Sequence, residues 1–204
     1  MRTPPPEAER RRMMYTWEEL KQFVDYCGRC PLCRTRTHAV MGRGNLKAAV
    51  MFVAEAPGRQ EDQQGVPFVG PAGHVFDQLL EAASMSREEI YITNIIKCNP
   101  PFNRDPSEEE KAACIDYLKY ETLLIRPKIM VCLGRVAAQR IIRPDFRITR
   151  EHGLWTERKG YQLTAVLHPS ALLRDPSRIP EAKQDFLAIR RKADELADRP
   201  PLCD

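Results

Sequence analysis

The sequence predicts an α/β protein in which helices cover a mainly parallel sheet. From Leu46 onward, short apolar runs rich in β-branched residues alternate with amphipathic stretches of helical periodicity. The chain has 204 residues, of which 43% are hydrophobic, so it is long enough for one sizeable core and short for two. We therefore expect one domain, residues 16–198. The Arg- and Pro-rich extension before it, residues 1–15, is expected to be disordered.

Four apolar segments have the length and composition of buried strands. They are residues 49–54, 91–95, 128–132 and 162–167. Because helical segments separate them along the chain, we expect them to form a central four-stranded sheet whose strands are mainly parallel.

Five segments have the periodicity of helices: residues 16–26, 73–83, 107–124, 134–142 and 180–196. The first is capped by Thr16, and the third begins with a capping box that runs from Ser107 to Glu110. In sheets of this kind the binding crevice lies at the carboxyl ends of the strands. We expect functional residues in the segments that follow strands one, two and four, which read AEAPGRQED, TNIIKCNPPFNRDP and HPSALLR.

The charge distribution is uneven, although the net charge of +4 is only mildly basic. Five arginines fall within sixteen residues and are opposed in that stretch by Asp145 alone: Arg135, Arg140, Arg143, Arg147 and Arg150. Such a stretch indicates either a solvated basic face or a nucleic-acid surface. The apolar runs are too short to span a bilayer and the first residues lack a signal peptide's apolar core, so we expect a soluble intracellular protein without a membrane partner.

The cysteines suggest a metal site. Three of the seven lie in CGRCPLC, residues 27–33, and in a reducing cytosol such clustering is more typical of metal ligands than of disulfides. A zinc ribbon would need a second C-x-x-C about fifteen to twenty residues away, which is absent. Cys27 and Cys30 have the pair spacing, and single partners are available at Cys98 and Cys114. On spacing alone, four such thiolates suit an iron–sulfur cluster or a structural zinc equally.

The spacing leaves one ligand choice open, because Cys30 and Cys33 form a second, overlapping C-x-x-C pair. Cys132 lies inside an apolar strand, which predicts that it fills the core. Cys203 has no assigned role.

Five motifs follow one another along the chain: CGRCPLC, AEAPGRQEDQQGVPFVGPAG, YITNIIKCNPP, NRDPSEEE and LHPSALLR. In this order they closely resemble the family-four uracil-DNA glycosylases, the iron–sulfur branch of the uracil-DNA glycosylase superfamily. The match runs from about Cys27 to the last helix, and several long motifs in fixed order are more specific than one short motif. The resemblance implies a Rossmann-like three-layer α/β/α fold and a DNA repair hydrolase that removes uracil from DNA and leaves an abasic site.

The resemblance also implies a 4Fe-4S cluster. The matching ligand positions are Cys27, Cys30, Cys98 and Cys114, whereas Cys33 falls where the family usually has no ligand. We expect the cluster to hold the N-terminal segment and the loop 99–107 to the sheet, because hydrolysis of an N-glycosidic bond needs no electron. Two features depart from the family: Ala54 stands where the first motif normally begins with Gly, and the family does not require the Arg-rich extension.

Three positions match the family's uracil pocket. Phe68 matches the residue that stacks on the base, and Asn94 the residue that can accept from uracil N3–H and donate to O4. Glu61 matches the residue thought to crowd C5 and exclude the methyl group of thymine. Without the resemblance, these residues would be interpreted as a core Phe, a turn Asn and a solvated loop carboxylate.

Two positions match the family's catalytic residues. Glu55 matches the acid that holds or polarises water, and His168 matches the histidine that hydrogen-bonds uracil O2 and stabilises the departing anion as a neutral imidazole. Asn103 matches a family position near the site, with no role assigned. A His-Pro-Ser sequence is otherwise typical of a structural turn.

The segment 171–174 resembles the family's minor-groove loop. Leu172 and Leu173 are expected to wedge into the gap left by the flipped base, and Arg174 and Ser170 to meet phosphate. With this loop placed, the arginine stretch from Arg135 to Arg150 is expected to face DNA.

Other functions of the same fold stay open from the sequence. One alternative is a non-catalytic module that binds uracil or DNA, and another is an accessory protein of a DNA polymerase. A related branch traps uracil covalently through a histidine in a basic loop, but the corresponding loop here, residues 99–107, contains none. We expect a nucleoid-associated monomer that acts on uracil-containing DNA, single- or double-stranded.

Overall fold

The computed structural model describes residues 15–197, and its sheet has six strands in the order β1-β3-β2-β4-β6-β5. Their bounds are β1 Arg43–Gly44, β2 Val50–Ala54, β3 Ile90–Asn94, β4 Ile129–Leu133, β5 Trp155–Arg158 and β6 Tyr161–Val166. The four middle strands are parallel, whereas β1 and β5 pair antiparallel at the two edges. The predicted parallel sheet is confirmed, and its strand count is corrected from four to six. The predicted extension lies outside the described residues, apart from Tyr15.

Strands β2, β3 and β4 are buried on both faces because helices cover both sides of the sheet. All five residues of β2, β3 and β4 are buried. The edge strands have no such pattern. β1 has only two residues, both exposed, and β5 is mostly exposed, which explains why the sequence did not reveal them.

Eight helices connect and cover the strands in the described part of the chain. Their bounds are α1 Trp17–Asp25, α2 Arg59–Gln64, α3 Pro71–Ala82, α4 Glu108–Ile125, α5 Arg135–Ile141, α6 Ile148–Glu151, α7 Pro169–Arg174 and α8 Ile179–Ala197. The five predicted helices are confirmed, with ends shifted by one or two residues. The three that were not predicted, α2, α6 and α7, have four to six residues, too few to show a helical period.

Capping boxes fix the starts of two helices that form the outer layer near the cysteines. The Thr16 hydroxyl accepts from the backbone N–H of Glu19, and the Glu19 carboxylate accepts from that of Thr16. Ser107 and Glu110 make the same reciprocal pair at the start of α4, as predicted.

The core consists of two apolar layers, one on each face of the sheet. On one face, α1, α4 and α5 pack around residues such as Leu20, Leu118 and Ala137. On the other face, α3 and α8 pack through Phe76 and Phe186. This is the predicted three-layer arrangement. The side chain of Cys132 is fully buried in the first layer, which confirms it as a core residue.

The chain order places a crevice at the carboxyl ends of the middle strands. From β2 the chain crosses to β3 on one side, and β4 then lies on the other side of β2. The ends of β2 and β4 therefore flank a switch point of the kind that binds ligands in open α/β sheets. Among residues 15–197, no helix is long and apolar enough to cross a membrane.

Candidate active site

The ends of the strands bring the sequence-predicted residues of the pocket and the catalytic pair to one edge of the sheet. Glu55 directly follows β2, Asn94 is the last residue of β3, and His168 stands two residues after β6. Gly134, which follows β4, was not predicted to take part in the site. Its φ is +87°, and an added Cβ would lie 2.9 Å from the Cβ of His168, so glycine lets α5 begin close against the histidine.

His168 is held as one neutral tautomer by the start of α7. Its Nδ1 accepts from the backbone N–H of Ser170 at 3.1 Å and lies 2.7 Å from the Ser170 hydroxyl. Since Nδ1 accepts, the ring proton of the neutral imidazole is on Nε2. Burial, with a smaller contribution from Arg174, lowers the pKa of His168 to about 4. His168 therefore presents an N–H donor without a positive charge at neutral pH.

The same contacts bear on the predicted role of Ser170. Its hydroxyl and its backbone N–H are both directed at the His168 ring. A hydroxyl has one proton to donate, so a hydrogen bond from Ser170 to phosphate would replace the one to His168. Phosphate binding by Ser170 stays a prediction.

Asn94 presents a buried acceptor without a partner. The residue is 1% exposed, and within residues 15–197 its Oδ1 is the one buried side-chain oxygen or nitrogen that lacks a hydrogen bond. The Lys97 ammonium donates to the backbone carbonyl of Asn94 at 2.7 Å and so holds the backbone of this residue in place. A buried polar atom without a partner is unfavourable by about 1–3 kcal/mol, and a ligand's donor would remove this penalty.

Phe68 lies in a turn that holds its ring between α3 and the histidine. The residue is 6% exposed, and its ring centroid lies 5.2 Å from that of Phe76 and 6.0 Å from that of His168. Its φ is +55°. The Phe68 carbonyl accepts from Arg87 at 2.7 Å and packs so closely on Gly73 that an added Cβ there would lie 2.1 Å from it.

Glu61 holds the other side of this turn. Its Oε1 accepts from the backbone N–H groups of Val69 at 3.0 Å and Gly70 at 2.8 Å, where α3 begins. The residue is 9% exposed, so it is not a solvated loop carboxylate. These contacts fix the backbone beside Phe68.

Glu55 is half-buried, and its pKa is raised to about 7. Burial is the main cause, and the negative charge of Asp105 adds to it, while Arg135 and Lys111 act in the opposite direction. A carboxyl group with a pKa near 7 can exchange a proton with water at neutral pH, as a general base must.

The loop after β3 is tied to the segment that carries Glu55. The Asn99 side-chain amide donates to the Pro57 carbonyl at 2.7 Å and to Asn103 Oδ1 at 2.8 Å. The observed contact of Asn103 holds the loop against the segment that carries Glu55, and a role in the site stays a prediction. Asn99 was not predicted to take part.

The structure separates the two leucines that were predicted to wedge into DNA. Leu172 is 1% exposed and belongs to the core layer between α7 and α3. Leu173 is 47% exposed, and Arg174 beside it is exposed. A buried side chain cannot enter DNA without unpacking α7, so the predicted DNA contact is kept for Leu173 and withdrawn for Leu172.

The five arginines of the basic stretch are all exposed, but acidic side chains offset more of them than the sequence indicated. Arg135 pairs with Asp105 at 2.7 Å, and Arg143 pairs with both Asp145 and Glu151. Since Asp105 is distant in sequence, the stretch alone could not reveal that pair.

The predicted metal ligands come together beside α4. Five cysteines line one small cavity: Cys27, Cys30, Cys33, Cys98 and Cys114. Cys33 is thus present in the cavity although it was not predicted to be a ligand. Among residues 15–197, no three His, Cys, Asp or Glu side chains are arranged to hold a single metal ion.

Cationic and N–H groups surround the sulfur atoms of this cavity. Arg36 donates to Cys98 Sγ at 3.2 Å, and the backbone N–H groups of Arg29 and Lys97 point at Cys27 and Cys114. Burial raises the pKa of the Cys114 thiol to about 12, so its thiolate needs a bound cation. Donors of this kind stabilise sulfur that carries negative charge.

A buried ion pair joins this cavity to the end of β3 that carries Asn94. The Lys97 ammonium contacts Glu121 at 2.5 Å and Thr93 at 2.7 Å, in addition to the Asn94 carbonyl. Glu121 also accepts from Thr93, Tyr91 and the backbone N–H of Gly42. This network was not predicted, although a lysine inside the apolar run IIKC is a sequence signal for a buried charge.

Comparison with known proteins identifies related chains. A family model described as the uracil DNA glycosylase superfamily matches residues 41–193. The chain is also similar to proteins named type-4 uracil-DNA glycosylase. One from Archaeoglobus fulgidus is 42% identical over 86% of this chain and 92% of its own length. A second, from Sulfurisphaera tokodaii, is 40% identical over 88% of this chain and 86% of its own length. A third, from Thermotoga maritima, is 41% identical over 80% of this chain and 88% of its own length.

Proposed function

Because the chain belongs to the uracil DNA glycosylase superfamily and resembles its type-4 members over most of its length, we propose that its crevice hydrolyses the N-glycosidic bond of uracil in DNA. The product is DNA with an abasic site, so the chain is a repair glycosylase. One observation carries the assignment of the pocket: the partnerless buried Oδ1 of Asn94, at the same sheet edge as His168.

Uracil recognition follows from the donors and acceptors of the pocket. Asn94 Oδ1 accepts from uracil N3–H, and the amide group of the same side chain donates to O4. Phe68 covers the face of the base, with its ring held by Phe76 and its backbone by Arg87. The flipped base thus exchanges its stacking in DNA for stacking in the pocket.

We assign the exclusion of thymine to Glu61 and the turn that it holds. Thymine differs from uracil by a methyl group at C5, and a rigid wall rejects such a group better than a mobile one. The two backbone hydrogen bonds from Val69 and Gly70 to Glu61 support this role because they fix the turn next to Phe68.

The reaction breaks the bond between C1′ and N1, and its electron pair leaves with uracil. Negative charge then develops on uracil O2, where the Nε2–H of neutral His168 donates. Uracil is neutral before the bond breaks, so this hydrogen bond strengthens as negative charge develops on O2 and stabilises the transition state more than the bound substrate.

Glu55 acts on the other side of the sugar. In its carboxylate form it accepts a hydrogen bond from water and orients the water oxygen toward C1′, where positive charge develops. The new C1′–O bond forms as the bond to N1 breaks, and the water proton passes to Glu55. The raised pKa of Glu55 supports this role, because it makes the carboxylate a stronger base than an exposed glutamate.

An iron–sulfur cluster suits the cavity beside α4. We propose that Cys27, Cys30, Cys98 and Cys114 hold a 4Fe-4S cluster, and that Cys33 lies beside it without binding iron. Four thiolates are the usual ligand set of such a cluster, and in it each binds a different iron. Bound there, such a cluster would supply folding free energy by joining the segment after α1, the loop after β3 and α4, and hydrolysis would need no electron from it.

DNA is proposed to lie along the edge of the sheet that bears the crevice. Leu173 and Arg174 face solvent at the end of α7, next to His168, and suit contacts with the base gap and with phosphate. The exposed arginines from Arg135 to Arg150 extend this surface. We propose that the chain acts as a monomer.

The test is excision from oligonucleotides that carry one uracil, scored as alkali-labile abasic sites, with thymine in the same position as substrate control. The wild-type protein should cleave the uracil strand alone. Asn94→Asp is the matched protein variant, because it keeps size but presents an acceptor to O4. We expect its single-turnover rate to fall by about two to four orders of magnitude.

Two outcomes would contradict this proposal. If wild-type protein binds uracil-containing DNA but leaves it intact, the fold serves as a binding module. If Asn94→Asp keeps the wild-type rate and the wild-type circular dichroism spectrum, Asn94 does not read the base.

A further inference from the structure

Phe102 stands at the tip of the loop after β3 and is fully exposed. Its relative exposure is 101%, whereas Phe52, Phe68, Phe76, Phe146 and Phe186 are between 0% and 6% exposed. A phenyl ring that stays in water contributes neither burial free energy nor packing to the fold. The ring is therefore available to a ligand.

The backbone of this residue is also in an unfavourable conformation. Phe102 has φ +58° and Asn103 has φ +53°, in the left-handed region that glycine and asparagine tolerate best. The neighbours impose this shape. Asn99 links Asn103 to the Pro57 carbonyl, and Arg104 makes two hydrogen bonds to Glu110. The loop thus holds an aromatic ring in water, where it gains no burial, in a backbone conformation that opposes folding.

The loop borders the mouth of the crevice. Its anchor Pro57 is two residues from Glu55, and Asp105 is close enough to Glu55 to affect its charge. Asp105 also pairs with Arg135, the first arginine of the basic stretch. On the proposed function, a DNA strand that delivers uracil to the crevice passes this loop.

We propose that Phe102 is a stacking platform for an unpaired nucleobase of the DNA strand, next to the nucleotide that enters the pocket. Exposed aromatic rings on which bases stack are one means by which proteins hold single-stranded nucleic acid. A base is favoured over a protein partner because the ring is continuous with the DNA-facing edge. This inference rests on the proposed function.

Binding of a fluorescently labelled, uracil-free single strand, measured by anisotropy, tests the platform. Phe102→Gly removes the ring and suits a positive φ, so we expect unchanged or higher thermal stability together with about 5- to 30-fold weaker binding. Phe102→Trp should keep the affinity. The control is Leu123→Ala, which removes another exposed apolar side chain, near the far end of α4.

Duplex DNA of the same sequence should lose less affinity than the single strand on Phe102→Gly, because its bases are already stacked. Unchanged affinity of Phe102→Gly for the single strand would overturn the proposal, as would an equal loss in Leu123→Ala. Sedimentation of the wild type and of Phe102→Gly shows whether the ring contacts a second copy of the chain. If the substitution changes self-association but not DNA affinity, the ring serves that contact and the proposal fails. Lack of uracil excision by the wild type would refute the proposed function, whereas the binding comparison is made on DNA without uracil and is read separately.

Discussion

The carboxyl group of Glu55 changes charge near neutral pH, since burial and Asp105 raise its pKa to about 7. If the carboxylate is the active form, excision should rise with pH through about 7 and then level off. His168 adds no second limb there, because its pKa of about 4 keeps it neutral above that pH. Single-turnover rates between pH 5 and 9 check this, and Glu55→Gln should be slow with a flat profile. A wild-type rate that falls as pH rises would contradict the role.

The same group links pH to stability. Below its ordinary pKa of 4.5 the carboxyl is protonated in folded and unfolded chains alike. As pH rises from there to about 7, the unfolded chain releases the proton first, so this group lowers the stability of the folded protein. The melting temperature of Glu55→Gln should therefore exceed that of the wild type at pH 8 and match it at pH 4.

Leu172 and Leu173 are adjacent in sequence but have different surroundings, and their alanine variants should differ accordingly. Leu173→Ala should weaken excision from duplex DNA more than from single strands, because only a duplex must be held open, and should leave the melting temperature unchanged. Leu172→Ala removes a core side chain and should lower the free energy of unfolding by about 2–5 kcal/mol. Kinetics on both substrates and urea denaturation distinguish them. Equal losses on the two substrates for Leu173→Ala would argue against a wedge.

At the scale of elements, the segment between α1 and β1 supplies three of the five cysteines in the cavity. Anaerobically purified protein should be brown and contain about four irons per chain. Cys33→Ala should keep colour and iron, whereas Cys98→Ala should lose both, as measured by absorbance and iron analysis. Loss of iron in Cys33→Ala would mean that the overlapping pair, Cys30 and Cys33, binds the cluster. Zinc in place of iron would exclude the cluster.

The elements that the sequence predicted are those with a periodic apolar pattern. The strand VMFVA and the capped helix α4 can be predicted from their local sequences. A buried strand is a continuous run of apolar residues, and Ser107 marks the start of the helix. The short helix α7 has no such signal, and one buried and one exposed leucine follow each other within it. Which leucine meets α3 depends on how α7 docks, a tertiary property that six residues do not encode.

The sequence predicted which residues follow the strands at the crevice, but not the contacts that hold them. The positions of Asn94 and His168 could be predicted because each lies at or just after the end of a parallel strand, and these ends meet at one edge of the sheet. The hydrogen bonds of Glu61 with Val69 and Gly70, and the pairing of Arg135 with Asp105, join residues from different segments. Such pairs depend on distances between elements, which local sequence patterns do not contain.

Across the whole molecule, the buried pair of Lys97 and Glu121 connects the crevice at the end of β3 with the cysteine cavity. The Lys97 ammonium holds the backbone of Asn94 in the pocket, while its backbone N–H points at Cys114 in the cysteine cavity. Glu121 extends the network to Tyr91, which accepts from Trp17 of α1. The N-terminal helix, the cysteine cavity and Asn94 are therefore joined through the buried side chains of Lys97, Glu121 and Tyr91.

Breaking this pair should be costly, whereas replacing both charges should not. Lys97→Met leaves the Glu121 carboxylate buried without its cation, and we expect a loss of about 3–5 kcal/mol in the free energy of unfolding. In the double variant Lys97→Met with Glu121→Leu, no unpaired charge remains, so urea denaturation should show that most of the stability returns. Its excision rate should stay low, because no ammonium fixes the Asn94 carbonyl. If the double variant regains the wild-type rate as well as the stability, the pair serves folding alone and Asn94 is positioned by other contacts.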